Sequence, residues 1–167
     1  MTGAAKLADG IDRFIDLVGR AVSWIALILA LVMGANVILR YGYSLGWIWA
    51  QELEWHLLVP LTLIGMSYAM RHGDHVRVDI LYARFSPRAM LVVDIVSAIL
   101  ALIFSALVIW LSLAYVNQSW SIGEGSANPG GLDYRYIIKA MIPAGFALLF
   151  LQSLSQAIHA TLALRAA

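Results

Sequence analysis

Cysteine is absent from the 167-residue sequence, and charged side chains are scarce. The lack of cysteine excludes disulfides, thiolate catalysis and cysteine-ligated zinc or iron–sulfur clusters. Charged residues make up 13% of the chain, which is about half their share in ordinary soluble domains. The 11 basic and 10 acidic residues give a net charge of +1, so there is no basic excess of the kind that binds nucleic acid. We therefore expect neither a soluble globular protein nor a nucleic-acid partner.

Apolar residues make up 62% of the sequence and are grouped in long runs. A helix needs about 20 mostly apolar residues to cross a hydrocarbon core of roughly 30 Å. Four such runs predict an all-α integral membrane protein, with 1–167 as a single membrane domain and spans at about 21–40, 47–70, 87–116 and 137–164. Small residues four apart in the third run, Ser97, Ala101 and Ser105, predict a face that contacts another helix.

The segment before the first span has a helical pattern of its own. Leu7 and Ile11 recur at helical spacing, while Asp12 and Asp16 take the other side. This pattern predicts a short amphipathic helix over 6–20 that lies on the bilayer surface. Because three aspartates precede the first apolar run, we expect that run to be a retained span and not a cleaved signal peptide.

Basic residues indicate how the spans are oriented. If the N-terminus is cytoplasmic, eight of the 11 basic residues lie inside and three lie outside. This bias favours both termini in the cytoplasm. Trp and Tyr residues at 41–49 and 120–136 fit aromatic belts at the outer interface. Beside the inner loop, three arginines flank apolar residues and are predicted to contact anionic lipid headgroups: Arg77, Arg84 and Arg88.

Several acidic side chains fall within or near the predicted spans. Glu52 and His56 share a helix face at the start of the second span and could pair, whereas Glu54 points elsewhere. We expect these residues to face water or a partner protein, or to be buried against another subunit; an ion or proton site is the less favoured alternative. Asp94, inside the third span, fits structural pairing better than a coupling-ion site.

Histidines and acids raise the question of a cofactor. His56 and His159 lie at depths that differ by roughly 20 Å, which is too far apart for both to ligate one haem iron. The inner loop carries metal-ligating residue types, but a solvated charged loop is the commoner explanation, so we expect neither a metal nor another cofactor. On the fourth span, Gln152 and His159 belong to a polar stripe that we expect to contact another helix. No nucleophile and base are recognisable together, so an enzyme is not expected.

The connection over 117–136 is about 20 residues long and contains four glycines. Loops of this length are usually functional or disordered. It lacks the Gly-Lys-Ser/Thr ending of a phosphate-binding loop. We therefore interpret it as a docking surface for an extracytoplasmic protein, with Glu124, Asp133 and Arg135 among its polar residues.

Three segments carry a resemblance to a known family. RYGYSLGWIWAQEL (40–53), MRHGDHVRVDIL (70–81) and KAMIPAGFALLFLQ (139–152) resemble the small, DctQ-type membrane subunit of tripartite ATP-independent periplasmic (TRAP) transporters. The most specific part is HVRVD, at 75–79. Many members of that family carry two adjacent acids where this chain has Gln51 and Glu52.

The resemblance implies a four-span scaffold in the bacterial inner membrane that braces a larger, elevator-type subunit. That large subunit would hold the substrate and sodium sites, and a soluble periplasmic binding protein would deliver the solute. The segment EGSANPGGLDYRYIIKAMIP resembles a branch associated with 2-oxo acids and related organic acids. The residues expected to contact a partner are Arg40, Trp49, Glu52, Glu54, His56, His75, Asp79, Glu124, Asp133 and Arg135.

Two other functions remain open at this point. The chain could be an independent small ion or proton carrier, or a structural organiser of the membrane. No internal repeat relates its two halves, which disfavours a self-sufficient secondary transporter.

Overall fold

The computed structural model describes residues 3–73 and 85–166. Within those ranges the chain forms four long helices: α1 (Gly3–Tyr43), α2 (Ile48–His72), α3 (Pro87–Ser121) and α4 (Arg135–Ala166). The expected all-α class is confirmed. Three of the helices, α1, α3 and α4, are long and apolar enough to cross a membrane. The fourth, α2, is not among them; it carries acidic residues near its start and Arg71 and His72 in its last turn.

The helices form a bundle in which α4 packs against each of the other three, and α1 also packs on α2. The start of α1 lies beside the ends of α2 and α4, because Asp12 contacts both Arg71 and His159. We call this the terminal end. The opposite end, where 44–47 and 122–134 connect the helices, is called the loop end.

Local sequence explains where two of the helices stop or start. Ser86 caps α3, since its hydroxyl accepts the Ala89 amide hydrogen at 3.2 Å, and Pro87 follows in the first helical position. Gly73 ends α2 in the left-handed conformation, with φ at 75°, and its amide donates back to carbonyls of the last turn.

Small residues mediate the packing between helices. The buried residues of α3 fall seven apart, at Ala98, Ser105, Ser112 and Ser119. A seven-residue seam keeps one face on the partner helix, as in left-handed coiled coils, and here that partner is α4. Ser105, which the sequence assigns to a contact face, is fully buried. The buried residues of α3 are therefore seven apart, whereas the sequence pattern predicted a contact face of residues four apart.

One close approach joins α2 to α4. A Cβ placed on Gly145 would lie 2.8 Å from the backbone carbonyl oxygen of Leu63. Real side chains do not come this close to backbone atoms, so the contact requires glycine on α4. Helices that associate in a bilayer depend on such close packing because lipid is as apolar as leucine.

The start of α1 differs from the expected surface helix over 6–20. Residues 3–43 contain no proline and form one helix of 41 residues, about 61 Å long at 1.5 Å per residue. Ala8 and Ile15 are buried in the bundle. The acidic side faces α2 and α4, so this segment is part of the bundle and is continuous with the first apolar run.

Candidate functional site

The loop end brings together most of the polar residues that were singled out from the sequence. Eight of them lie there: Arg40, Trp49, Glu52, Glu54, His56, Glu124, Asp133 and Arg135. Arg88 lies at the other end of the bundle, exposed in the first turn of α3. Four further predicted residues, His75, Arg77, Asp79 and Arg84, lie outside the described residues.

Glu52 is the centre of the loop end. Its side chain is buried, although it sits in the first turns of α2. One carboxylate oxygen accepts hydrogen bonds from the Ser126 hydroxyl at 2.5 Å and from the Asn128 amide at 3.1 Å. The other oxygen accepts the Leu132 backbone amide hydrogen at 2.7 Å. Three charge-assisted hydrogen bonds therefore fix the 122–134 connection onto α2.

A glycine allows this connection to approach so closely. A Cβ on Gly131 would lie 2.6 Å from a Glu52 carboxylate oxygen. The sequence shows several glycines in this loop, but it does not show that one of them, Gly131, makes room for a carboxylate carried by α2.

Glu54 and His56, which also lie near the start of α2, have hydrogen-bond partners as well. The Asn36 side-chain amide on α1 donates to a Glu54 carboxylate oxygen at 2.7 Å and to the Ala50 carbonyl oxygen at 3.1 Å. His56 does not pair with the Glu52 carboxylate; its Nδ1 lies 2.7 Å from the Glu52 backbone oxygen. Asn36 has no distinguishing signal in the sequence, being one amide within a long apolar run.

Two cations line the start of α4. The Lys139 ammonium forms an ion pair with Glu124 and lies 4.1 Å from the centre of the Tyr115 ring. The Arg135 guanidinium lies 5.3 Å from the centre of the Trp55 ring. The hydrogen bond from Lys139 holds the pKa of the Glu124 carboxyl below its ordinary value.

A second polar network occupies the terminal end. Asp16 on α1 forms an ion pair with Arg71 of α2 and a hydrogen bond with His72 of α2, each at 3.0 Å. Asp12 accepts from the Ser155 hydroxyl of α4 at 2.6 Å and lies 3.3 Å from His159. The acidic side of the N-terminal segment thus contacts two other helices.

The polar stripe expected to contact another helix does so in the structure. The Gln152 side-chain amide donates to Asp12 at 3.3 Å, and His159 lies beside the same carboxylate. Both side chains belong to α4, whereas Asp12 belongs to α1. The network therefore joins the start of α1 to the second half of α4.

Neither end, as far as the structure describes it, carries an evident metal centre. In the part of the chain that the structure describes, no group of three or more His, Asp or Glu side chains could hold a metal ion. The polar groups at both ends instead connect helices and loops of the same chain. Such an arrangement can hold a bundle in one shape and present the remaining surface to partners.

Comparison with known proteins identifies a family for this chain. Residues 29–162 match the family described as tripartite ATP-independent periplasmic transporters, DctQ component. A relative from Haemophilus influenzae, named as a TRAP transporter small permease protein, is 28% identical over 77% of this chain and 79% of its own length. The ectoine TRAP transporter small permease protein TeaB of Halomonas elongata is also 28% identical, over 79% of this chain and 67% of its own length. The chain therefore belongs to the DctQ component family and is a small permease component of a TRAP transporter.

Proposed function

We propose that this chain is the scaffold of a sodium-driven TRAP transporter for organic acids in the bacterial inner membrane. In this role it braces the large membrane subunit and helps to dock the periplasmic substrate-binding protein, and it catalyses no reaction itself. The observation that carries the proposal is the enclosed carboxylate of Glu52, which binds the 122–134 connection with three hydrogen bonds.

A brace must keep its shape while its partner moves. At the loop end, Glu52 joins α2 to the last long connection, and Glu54 joins α2 to α1. At the terminal end, Asp12 and Asp16 join α1 to α4 and α2. Polar contacts at both ends support a bundle that moves as one unit beside the large subunit.

Exposed side chains support two contact regions. Trp24 on α1 and Trp110 on α3 are more than two-thirds exposed, and we assign the apolar faces around them to lipid and to the large subunit. Asp133 and Tyr134 are exposed on the loop-end connection. We assign this polar surface to the binding protein, with Trp49 and Arg40 at its edge.

The proposed topology has four spans with both termini in the cytoplasm. The chain has no cysteine, so single cysteines can report on sidedness. Ala127 is exposed in the loop-end connection, and Ala166 is exposed at the end of α4. In spheroplasts, a membrane-impermeant maleimide should label Ala127→Cys and should leave Ala166→Cys unlabelled until the membrane is opened. Labelling of both positions before opening would contradict this topology.

Purification in mild detergent from the native host tests the scaffold role. A larger membrane protein should copurify with the wild-type chain, and recovery of none would refute the proposal. In proteoliposomes, the two membrane subunits with the binding protein should take up solute along a sodium gradient. A panel of 2-oxo acids and ectoine would define the solute class.

The same assay separates the alternatives. The chain alone should give no flux. Flux through the chain alone that is lost in Asp94→Asn would instead support an independent ion carrier. Absence of both flux and a transporter partner would support a structural membrane organiser.

A further inference from the structure

A cavity of about 430 Å³ lies at the loop end, between α2, α4 and the last turns of α3. Volumes of this size are typical of sites for small molecules. Both α2 and α3 pack on α4, and neither packs extensively on the other. The cavity therefore opens sideways between α2 and α3, towards the surface that a bilayer would cover.

The side chains that line the cavity change from polar to apolar along the helix axes. Near the loop end the lining has two cations, one acid and two aromatic rings: Arg135, Lys139, Glu124, Trp55 and Tyr115. About 10 Å further along α4, at 1.5 Å per residue, the lining is aliphatic apart from Thr62. These deeper residues include Val59, Leu63 and Ile142. A polar, cationic mouth above an apolar interior matches a molecule with an anionic head and a hydrocarbon tail.

One donor at the mouth has no partner. The Arg135 Nε is buried, and within residues 3–73 and 85–166 nothing accepts a hydrogen bond from it. A buried donor without an acceptor is costly, so each such group calls for an explanation. Lys139 is already paired with Glu124. The Arg135 guanidinium interacts electrostatically with the Glu52 and Glu124 carboxylates, but its Nε donor has no acceptor among the described residues and points to a further anionic group.

We propose that the cavity binds one phospholipid with an anionic headgroup. The lipid phosphate accepts hydrogen bonds from the Arg135 guanidinium, whose planar donors suit phosphate oxygens. One acyl chain lies along Val59 and Ile142. The floor is closed where Gly145 meets the backbone of Leu63, so the acyl chain leaves sideways between α2 and α3.

Charge and position favour a lipid over a free anion. The mouth carries aromatic rings, Trp55 and Tyr115, of the type that lies at the level of lipid headgroups. A free phosphate would use Arg135 but would leave the apolar interior empty. A phospholipid satisfies the charge and fills the interior with the same molecule.

The test is lipid titration of the purified full-length chain, with its copurifying subunits, followed by native mass spectrometry. The probe lipid is phosphatidylglycerol, compared with zwitterionic phosphatidylcholine and with inorganic phosphate. Arg135→Gln should weaken phosphatidylglycerol binding by about tenfold or more, since a charge-assisted hydrogen bond is lost. The matched control, Arg165→Gln, removes an exposed arginine at the far end of the same helix and should leave binding unchanged.

A second variant keeps the test decisive if the charge change disturbs folding. Val59→Trp leaves every charge in place and fills the apolar part of the cavity, so it too should lose the bound lipid. Equal phosphatidylglycerol binding by Arg135→Gln and Arg165→Gln would overturn the proposal. So would equal affinity for phosphatidylcholine, or displacement of the lipid by inorganic phosphate. A side chain of the large subunit found in this cavity in the intact transporter would overturn it as well.

Discussion

The carboxylate of Glu52 accepts the backbone amide hydrogen of Leu132 at 2.7 Å, across 80 positions of sequence. Glu52 lies in the first turns of α2, and Leu132 lies in the connection that enters α4. A single buried acid thus determines where the longest connection of the loop end lies. Because that connection is also the surface assigned to the binding protein, its shape depends on a residue that the partner need not touch.

We predict that Glu52→Gln destabilises the loop end more than any other single amide substitution there. The amide of glutamine keeps one acceptor oxygen, but its NH₂ group would face donors where the second carboxylate oxygen accepts now. At least one of the three hydrogen bonds must be lost, and a buried donor is left unpaired. The melting temperature in detergent should fall, and a protease should cut within 122–134 sooner.

Glu54→Gln is the matched control for this prediction. Glu54 lies two residues away and accepts one side-chain hydrogen bond, from Asn36. Its glutamine variant can still accept that bond through the amide oxygen, so the melting temperature should change less and cleavage within 122–134 should not accelerate. Similar losses in both variants would show that the Glu52 network does not hold the connection.

A second prediction concerns the close contact of α2 and α4. Gly145→Ala should cost about 1–3 kcal/mol of stability, because the added methyl group would overlap the backbone of Leu63 and force the helices apart. Gly65→Ala on α2 is the control, since a Cβ there meets no atom within 4 Å. Denaturant or thermal unfolding of both variants measures the difference. An unchanged Gly145→Ala variant would contradict the helix contact described here.

The sequence predicted the helices well and their mutual contacts poorly. Long apolar runs locate α1, α3 and α4 because bilayer thickness sets a minimum length for a span. The polar entry of α2 was also recognisable at Glu52. Its partners, Ser126 and Asn128, lie more than 70 positions away, and helical periodicity carries no information about contacts at that distance.

The contacts of the acidic face of the N-terminal segment were also not predictable from the sequence, for a different physical reason. In water, the apolar face of an amphipathic helix is expected to contact the rest of the protein. In a bilayer, lipid satisfies an apolar face equally well, so a polar face such as that of Asp12 and Asp16 can contact neighbouring helices instead. Periodicity alone gives the same pattern in both cases. The basic and histidine side chains at the ends of α2 and α4 were the available signal for the second case.

A third prediction tests that arrangement directly. The Ser155 hydroxyl oxygen on α4, which donates its hydrogen to Asp12, lies 3.2 Å from the Ala8 carbonyl oxygen, and both Ser155 and Ala8 are fully buried. In this cysteine-free chain, the double variant Ala8→Cys, Ser155→Cys should form an intramolecular cross-link under mild oxidation in membranes. Leu7→Cys with Ser155→Cys is the control, because Leu7 is exposed. Equal cross-linking of both pairs, or of neither, would favour a mobile N-terminal helix on the bilayer surface.

The last prediction concerns pH and the ion pair between Glu124 and Lys139. Because the Lys139 hydrogen bond lowers the pKa of Glu124 in the folded protein, the folded state holds the ionised form more strongly than the unfolded state does. The resulting stability is fully present above the ordinary carboxyl pKa of 4.5, and it is lost as the pH falls through the lower folded value. Glu124→Gln lacks this contribution at every pH. The difference in melting temperature between wild type and Glu124→Gln should therefore be constant near neutrality and should shrink below pH 4.5. A comparison of the two proteins, rather than of wild type alone, cancels the titration of the other carboxylates. A difference that grows on acidification would show that Glu124 is not stabilised as a carboxylate in the folded protein.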